Sequence, residues 1–316
     1  MSEEANLAAS ISARLLNRAQ ATGDTHQNLL VRFALERFLY RLSLSDRRDR
    51  FVLKGAMLLR LWSDQPYRAT RDLDLLRQGE GSFDAIREDL RAIVATPVPP
   101  DAVHFDAESI AIEAIRAEDE YAGSRATLLA HCGRARLPLQ IDMGLGDAVW
   151  PAPMSCAYPT LLDFPAPELL AYPREAVVAE KFEAMVVLGD RNSRIKDFFD
   201  LHYLASHFEF DRVTLAEAVQ RTFERRRTPI PAEDPIGLTE VYWDNPSRPA
   251  QARAFARRAG FALPEHPGDE ITQLLHTFLA PILEDLRHNA RRAGTWPPGG
   301  PWGAKHNATV RMERVG

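Results

Sequence analysis

The sequence lacks the features that define several large classes of protein. It has only two cysteines, Cys132 and Cys156, and their spacing supports neither a disulfide framework nor a cysteine-ligated metal site. It contains no run of about 18 apolar residues, so we expect no membrane-spanning helix. The acidic residues near its start are not followed by the apolar stretch of a signal peptide. We therefore expect a cytoplasmic protein that has no membrane partner.

Common catalytic and nucleotide-binding motifs are also missing. The segment Gly79-Glu80-Gly81 lacks the glycine and lysine that would follow in a P-loop, and neither G-x-S-x-G nor H-E-x-x-H occurs. The nine histidines do not fall at metal-ligand spacing. The net charge of −5 gives no overall signature of a nucleic-acid-binding protein, although local basic patches are compatible with it.

The periodicity of apolar residues predicts helices at both ends of the chain and strands between them. With 316 residues, of which 45% are hydrophobic, the chain can form one large domain or two ordinary ones. Residues 5–22, 25–42 and 51–62 have helical spacing. A strand is predicted at 72–77, a helix at 83–94, and three more strands between 109 and 143.

From Pro165 onward the pattern is helical, with helices predicted at 166–171, 174–188, 194–207, 213–225, 247–259 and 269–292. Strands grouped in one stretch and flanked by helices predict an α+β fold, in which a small mixed or mostly antiparallel sheet lies between N- and C-terminal helical lobes. We expect the N-terminal helices and the sheet to occupy 1–160, a helical lobe to occupy 161–293, and a flexible tail rich in glycine and proline to occupy 294–316.

Two acids lie two residues apart in the predicted strand at 72–77. Asp72 and Asp74 point to the same face, since side chains alternate along a strand. Neighbouring carboxylates repel each other unless a cation lies between them, and Mg²⁺ is typically held by one or two carboxylates together with substrate phosphates. Gly55, just upstream, suits close approach of backbone N–H groups to a phosphate. The pair suggests metal-assisted chemistry on a nucleotide; the alternative is a solvated strand edge that carries two acids.

A third acid, Asp142, lies near the C-terminal end of an otherwise apolar stretch at 137–143. A buried strand has no reason to hold an aspartate unless the acid finds a partner. If this strand neighbours the one with Asp72 and Asp74, three carboxylates converge and can hold two Mg²⁺ ions for an in-line phosphoryl transfer. The alternative is an aspartate that caps the following glycine-rich turn.

Charged residues in the C-terminal helices form the last candidate site. Lys181 lies within an apolar helical pattern, where it either extends its ammonium group to solvent or provides a point charge for phosphate. Arg194 and Asp197 are three residues apart on one helical face, as are Asp197 and Asp200. In the functional interpretation Arg194 or Lys196 binds phosphate, and Asp197 or Asp200 serves catalysis. The alternative is a solvated helix start held by ion pairs.

Taken in order, these segments resemble the AbiEii/AbiGii family of nucleotidyltransferase toxins, whose relatives include the mycobacterial MenT toxins and other DNA-polymerase-β-like nucleotidyltransferases. The similarity covers residues 30–207. It implies a polymerase-β-like nucleotidyltransferase core to which helical lobes are added. The motifs that carry it are Leu53-Lys54-Gly55-Ala56, Thr70-Arg71-Asp72-Leu73-Asp74-Leu75, Ile141-Asp142, Ala171-Tyr172-Pro173, Ala179-Glu180-Lys181 and Arg194-Ile195-Lys196-Asp197-Phe198-Phe199-Asp200-Leu201.

The resemblance also implies roles for individual residues. Thr70 stands where some relatives carry a hydroxyl residue that can be modified, so it is a candidate regulatory site. The implied catalytic residues are Asp72, Asp74, Lys181 and Asp197, with Asp200 as the less favoured acid; the implied nucleotide-binding residues are Lys54, Gly55, Lys181, Arg194 and Lys196; and the metal ligands would be Asp72 and Asp74, joined by Asp142 if the strands are adjacent.

Members of this family act as toxins of toxin–antitoxin or phage-defence pairs, and some similar proteins add nucleotides to the 3′ end of tRNA. The resemblance therefore implies an Mg²⁺-dependent enzyme that transfers a nucleoside monophosphate from an NTP to an RNA acceptor and is restrained by a separate antitoxin protein. Two alternatives stay open: transfer to a protein or a small molecule, and a binding module without catalytic activity. An RNA acceptor needs a basic track, for which Arg225-Arg226-Arg227 and the basic residues of the tail are candidates.

Overall fold

The chain folds into two compact units, Met1–Tyr172 and Pro173–Gly316. The computed structural model describes residues 3–63, 68, 70–115, 123–146, 149–263 and 265–304. The first unit combines helices with a mixed sheet, and the second is predominantly helical, which confirms the predicted α+β class. Within the described part of the chain, no helix has both the length and the apolar character needed to cross a bilayer.

The first unit begins with two long helices, α1 (Glu3–Thr22) and α2 (His26–Leu44), where the sequence predicts them. The Thr25 hydroxyl accepts a backbone N–H from the first turn of α2 and so caps that helix. Phe33 and Phe38 of α2 are fully buried, because this helix contacts strands of the sheet. Helix α2 therefore forms the layer on which the sheet packs.

A seven-stranded mixed sheet completes the core of the first unit. Its order across the sheet is β3-β4-β5-β2-β1-β7-β6. Strand β2 pairs in parallel with β5, and β1 pairs in parallel with β7, whereas the other neighbours are antiparallel. The two strands that carry the candidate acids are therefore adjacent. The strands are β1 (Phe51–Lys54), β2 (Asp72–Arg77), β3 (Val103–Ile115), β4 (Gly123–Cys132), β5 (Ala135–Leu145), β6 (Met154–Ala157) and β7 (Glu168–Ala171).

The predicted helix at 51–62 is only partly correct. Its first four residues form β1, residues Gly55–Met57 form a single 3₁₀ turn, and only α3 (Leu58–Trp62) is α-helical. Strand β1 lies between β2 and β7, so its first three residues are buried as a continuous apolar run. Periodicity alone does not distinguish such a run from a buried helix.

Helix α4 (Phe83–Val94) coincides with the predicted helix and is tied to the end of β2 by a buried acid. Asp89 accepts N–H groups from Arg77 at 2.9 and 2.6 Å and from Arg50 at 2.9 Å. Asp89 and Arg77 are each only 1% exposed. This charged cluster fixes the C-terminal end of the strand that carries the candidate acids.

The segment 166–171, predicted as helical, contains β7 instead. Glu168 is exposed whereas Leu169 and Ala171 are buried, and the strand pairs with both β1 and β6. The short apolar run misled the periodicity argument here for the same reason as in β1. Because β7 belongs to the sheet, the first unit extends to Tyr172, beyond the boundary after residue 160 that the sequence suggests.

The second unit contains five helices of more than two turns among its described residues, close to their predicted positions. Phe182 packs against Phe223 with ring centroids 5.9 Å apart, and Phe198 stacks on Tyr242 at 4.3 Å. These contacts give the unit an aromatic core of its own. The helices are α5 (Arg174–Leu188), α6 (Ile195–His207), α7 (Arg212–Arg225), α8 (Ser247–Ala259) and α9 (Pro267–Arg287).

The start of the predicted flexible tail is packed rather than extended. Residues Thr295–Trp296 form a short strand, β9, which pairs with β8 (Phe210–Asp211). Trp296 is 0% exposed and donates its indole N–H to the Ala205 carbonyl at 2.7 Å. The prediction of a flexible tail is therefore wrong for residues 294–304, because tryptophan burial outweighs the local glycine and proline content. Residues 305–316 lie outside the described part of the chain.

Candidate active site

Four charged residues form a row across four adjacent strands of the first unit. The register places Lys54 of β1 opposite Asp74 of β2, Asp74 opposite Asp142 of β5, and Asp142 opposite Arg125 of β4. Residues paired across strands share one face of a sheet, and Asp72 shares that face because it lies two residues before Asp74. The condition set by the sequence is therefore met: all three candidate acids lie on one face of two neighbouring strands.

The backbone at Gly55 closely approaches the second of these acids. Gly55 has φ +71°, a conformation that favours glycine, and follows β1 directly. A β-carbon at this position would lie 2.6 Å from the Asp74 β-carbon and would overlap the carboxylate itself. Only glycine therefore allows the turn after β1 and Asp74 to lie side by side.

Lys54 lies at one end of the row, against an aromatic ring. Its ammonium nitrogen is 5.1 Å from the centroid of the buried Tyr172 ring, within the range of a cation–π contact. The same nitrogen lies 3.8 Å from the point where a β-carbon at Gly144 would be. The small residue on β5 therefore leaves room for the lysine on the face that carries the acids.

Asp142 is held by Arg125 at the other end of the row. Arg125 donates from Nε to Oδ1 and from Nη2 to Oδ2, both at 2.8 Å. The hydrogen bond with Asp142 raises the pKa of Arg125. Asp142 therefore lies inside β5 with a partner of its own, which excludes the alternative that it caps the following turn.

Arg125 is a site residue that the residue types alone do not single out, although the turn that places it is visible in the sequence. Strands β4 and β5 are joined by the two-residue turn Gly133-Arg134, with Cys132 opposite Ala135. Gly133 has φ +57°, as the first position of a type II′ turn requires. Once such a turn fixes the register, counting outward from it places Arg125 opposite Asp142.

Thr70 lies immediately before β2, beside a small cavity. Its hydroxyl accepts the Asp72 backbone N–H at 3.3 Å, so it supports the start of the strand. It lines a cavity of ≈ 30 Å³ together with Arg32, Arg60 and the buried Glu36. Burial raises the pKa of Glu36 to about 7. The candidate regulatory role of Thr70 stays a prediction.

A second group of charged residues lies in the second unit. The Lys181 ammonium on α5 is 2.6 Å from Asp197 Oδ1 and 2.7 Å from Asp200 Oδ2, both on α6. Arg194 Nε lies 2.7 Å from Asp197 Oδ2, as the spacing of three residues predicts. The three side chains around the ammonium are shielded, with 15% of Lys181, 2% of Asp197 and 4% of Asp200 exposed. Lys181 is thus held by two acids, and Asp200 is as close to it as Asp197.

The charge state of Asp197 is set by competing effects. Burial by itself would raise the pKa of this carboxyl, but the Lys181 and Arg194 cations outweigh burial and hold the pKa below its usual value. Asp197 is therefore ionised at neutral pH. Lys196, also predicted to bind phosphate, is exposed near the start of α6 and its side chain lies outside this buried group.

The candidate basic track for RNA is partly engaged within the second unit. Arg226 Nη1 lies 2.6 Å from the buried Glu183, and Arg225 lies 3.8 Å from Glu180. These arginines therefore neutralise acids of α5. The basic residues of the tail, Lys305 among them, are outside the described ranges.

The donor chemistry of the first unit fits a hard cation. Among the described residues no three His, Cys, Asp or Glu side chains are grouped to hold a metal ion. Mg²⁺ does not need three, because one or two carboxylates and the phosphates of a nucleotide usually suffice. Asp72 and Asp74 supply two such carboxylates on one face, beside the glycine that lets backbone approach them.

Comparison with known proteins gives a family match and matches to solved structures. The sequence model described as "Nucleotidyl transferase AbiEii toxin, Type IV TA system" matches residues 37–281, a range that contains every candidate catalytic, nucleotide-binding, metal-ligating and regulatory residue. The crystal structure of JHP933 from Helicobacter pylori has a TM-score of 0.47 and 15% identity, over 84% of this chain and 97% of that one. A further H. pylori structure, described as a candidate nucleotidyltransferase, has a TM-score of 0.47 and 14% identity, over 85% of this chain and 100% of that one. No curated protein matches the sequence.

Proposed function

Since the chain belongs to the AbiEii family of nucleotidyl transferase toxins from type IV toxin–antitoxin systems, and is therefore a nucleotidyltransferase, we propose that it transfers a nucleoside monophosphate from an NTP to the 3′ end of an RNA, with tRNA as the favoured acceptor. An antitoxin protein encoded as a separate chain would restrain it in the cytoplasm. The first unit would be a polymerase-β-like catalytic core.

The observation that carries this proposal is the arrangement of acids around β2. Asp72 and Asp74 share one face, Asp142 stands beside Asp74 on a parallel strand, and Gly55 brings backbone next to Asp74. This combination supplies oxygen ligands and an open backbone approach for a polyphosphate. We propose that Asp72 and Asp74 hold Mg²⁺, which when bound supplies charge neutralisation for the triphosphate.

The proposed role of the protein is positioning and charge neutralisation. The acceptor hydroxyl oxygen forms a bond to the α-phosphorus while the bond from that phosphorus to pyrophosphate breaks, and the hydroxyl proton passes to solvent water. Lys54 and the backbone at Gly55 would orient the triphosphate. Within the second unit, Asp197 would keep Lys181 charged. Such effects provide most of the rate in phosphoryl transfer.

The test is nucleotide labelling of RNA by the purified full chain. The protein is incubated with total tRNA, Mg²⁺ and each radiolabelled NTP in turn, beside Asp72→Ala and Asp84→Ala. Asp84 is an acid of the first unit that lies on α4 and forms a surface pair with Arg87. We expect label in tRNA with the wild type and Asp84→Ala, and at least about a hundredfold less with Asp72→Ala, since loss of a charge-stabilising group commonly costs that much. Equal labelling by Asp72→Ala and the wild type would refute the proposal.

A protein or small-molecule acceptor is the second candidate function. It is favoured by the engagement of Arg225 and Arg226 with Glu180 and Glu183, because these arginines are then less available to RNA phosphates. Label that is lost with Asp72→Ala but migrates with protein or with small molecules would establish it. A binding module without catalysis predicts no label in any acceptor.

A further inference from the structure

The third acid of the charged row is already held by a cation that belongs to the chain itself. Both oxygens of Asp142 accept from Arg125, and the Gln140 amide nitrogen lies 3.3 and 3.2 Å from the same two oxygens. The pair is partly shielded, with 36% of the Arg125 side chain and 19% of the Asp142 side chain exposed. Its attraction is therefore stronger than that of a fully solvated surface pair.

The geometry of this pair makes it a strong competitor for a metal ion. A guanidinium group that donates two parallel N–H bonds matches a carboxylate in both shape and charge, and arginine stays protonated at any physiological pH. A divalent cation that approached Asp142 would meet that fixed positive charge next to the same oxygens. Asp142 is thus less open to a metal than an acid without a bidentate arginine partner.

The surrounding charges keep Arg125 in place. Glu113 of β3 lies opposite it on one side and Asp142 on the other, and Asp72 also attracts it. Lys54 stands at the far end of the row. The row therefore has a cation at each end, with Asp142 and Asp74 between Arg125 and Lys54.

We propose that Arg125 is a positioning residue, a fixed cation that holds the carboxylate of Asp142. The site then takes up one divalent ion, at Asp72 and Asp74. Asp142 binds a second ion only when Arg125 is removed. In this arrangement the guanidinium supplies the positive charge that the second metal provides in a two-metal site. The inference rests on the proposed nucleotidyl transfer, but it concerns the protein before nucleotide binds and is tested without nucleotide.

The experiment is a titration of the full chain with Mn²⁺ as the probe, with free Mn²⁺ measured by electron paramagnetic resonance. The wild type is expected to bind one Mn²⁺. Arg125→Gln should bind a second, at least about tenfold more tightly than any second site of the wild type, a difference that corresponds to about 1.4 kcal/mol. The affinity of Arg125→Lys for a second Mn²⁺ should lie between those of the wild type and Arg125→Gln, since lysine keeps the charge but cannot donate two parallel N–H bonds.

Two matched variants identify the second site. The double variant with Arg125→Gln and Asp142→Asn should lose the second Mn²⁺ again. Arg136→Gln changes an exposed arginine at the other end of β5 and should bind Mn²⁺ like the wild type. Circular dichroism of every variant establishes that it is folded.

Two results would overturn the inference: a wild type that binds two Mn²⁺, or a folded Arg125→Gln that binds no more than the wild type. The outcome of the labelling assay is independent of the outcome of this titration. If the wild type labels no acceptor but the Mn²⁺ stoichiometries are as expected, the proposed function falls and the role of Arg125 stands.

Discussion

At the scale of single residues, Gly55 joins two requirements in one position. Its φ of +71° needs glycine for the backbone, and the nearness of Asp74 needs glycine for space. Gly55 is a candidate from the sequence because it precedes a helical pattern near two acids. The sequence does not predict that its close neighbour is Asp74, because this contact depends on the pairing of β1 with β2.

Comparing Gly55→Ala with Gly23→Ala separates the requirement for a positive φ from the requirement for space. Gly23 has φ +70° but open space around it, so its alanine variant should lose only the backbone preference, about 1 to 2 kcal/mol. Gly55→Ala should lose more, and its labelling activity should fall because Asp74 must move. Urea unfolding and the labelling assay measure the two effects. Equal losses of stability and activity in both variants would show that the contact with Asp74 is unimportant.

At the scale of elements, the sequence predicts the amphipathic helices and the strands β2 to β5 well, and the strands β1 and β7 poorly. Strand β2 and helix α4 have their predicted bounds, since alternation and an N-cap at Ser82 define them locally. Strands β1 and β7 were both expected to be helical. Their apolar residues suit burial between neighbouring strands, and those neighbours are residues distant in the sequence.

The attachment of α4 to β2 gives a prediction at this scale. Asp89→Ala leaves the buried Arg77 without its carboxylate, so unfolding should become easier by about 3 to 5 kcal/mol. Asp84→Ala, on the same helix, removes only a surface pair and should leave stability unchanged within error. Urea unfolding followed by circular dichroism compares the two. A midpoint for Asp89→Ala equal to that of Asp84→Ala would contradict the proposed function of this cluster in holding β2.

At the scale of the whole molecule, each unit carries a buried acid whose pKa is shifted, and the shifts are opposite in sign. Glu36, in the first unit, has its pKa raised to about 7 by burial, against which the neighbouring Arg37 acts. Asp197, in the second, has its pKa lowered because Lys181 and Arg194 outweigh burial. Neither shift was readable from the sequence, because both depend on which side chains surround the acid after folding.

The two units should therefore respond oppositely to pH. Glu36 stabilises the first unit fully below its unfolded pKa of 4.5, and this contribution of about 3 kcal/mol at most is lost as pH rises toward 7. Asp197 contributes to the second unit above its unfolded pKa of 3.8, and its contribution is lost as pH falls through the lower folded value.

Urea unfolding as a function of pH checks both statements through conservative variants. Glu36→Gln should remove the decline in the free energy of unfolding between pH 4.5 and 7 and leave the loss of stability at low pH unchanged. Asp197→Asn should reduce only the loss of stability at low pH. A wild-type slope retained by Glu36→Gln between pH 4.5 and 7 would show that another group causes the decline.

The turn at Gly133-Arg134 also sets the register that aligns β4 with β5 in the charged row. The partners of β4 in β5 are set outward from this turn, so one residue inserted between Ala126 and Gly133, with the two-residue turn kept, would place Ala126 instead of Arg125 opposite Asp142. The acid would then lose its guanidinium, although no residue of the charged row had changed. The charge available to a divalent ion on this face thus depends on the number of residues that separate Arg125 from a turn at the remote end of a hairpin.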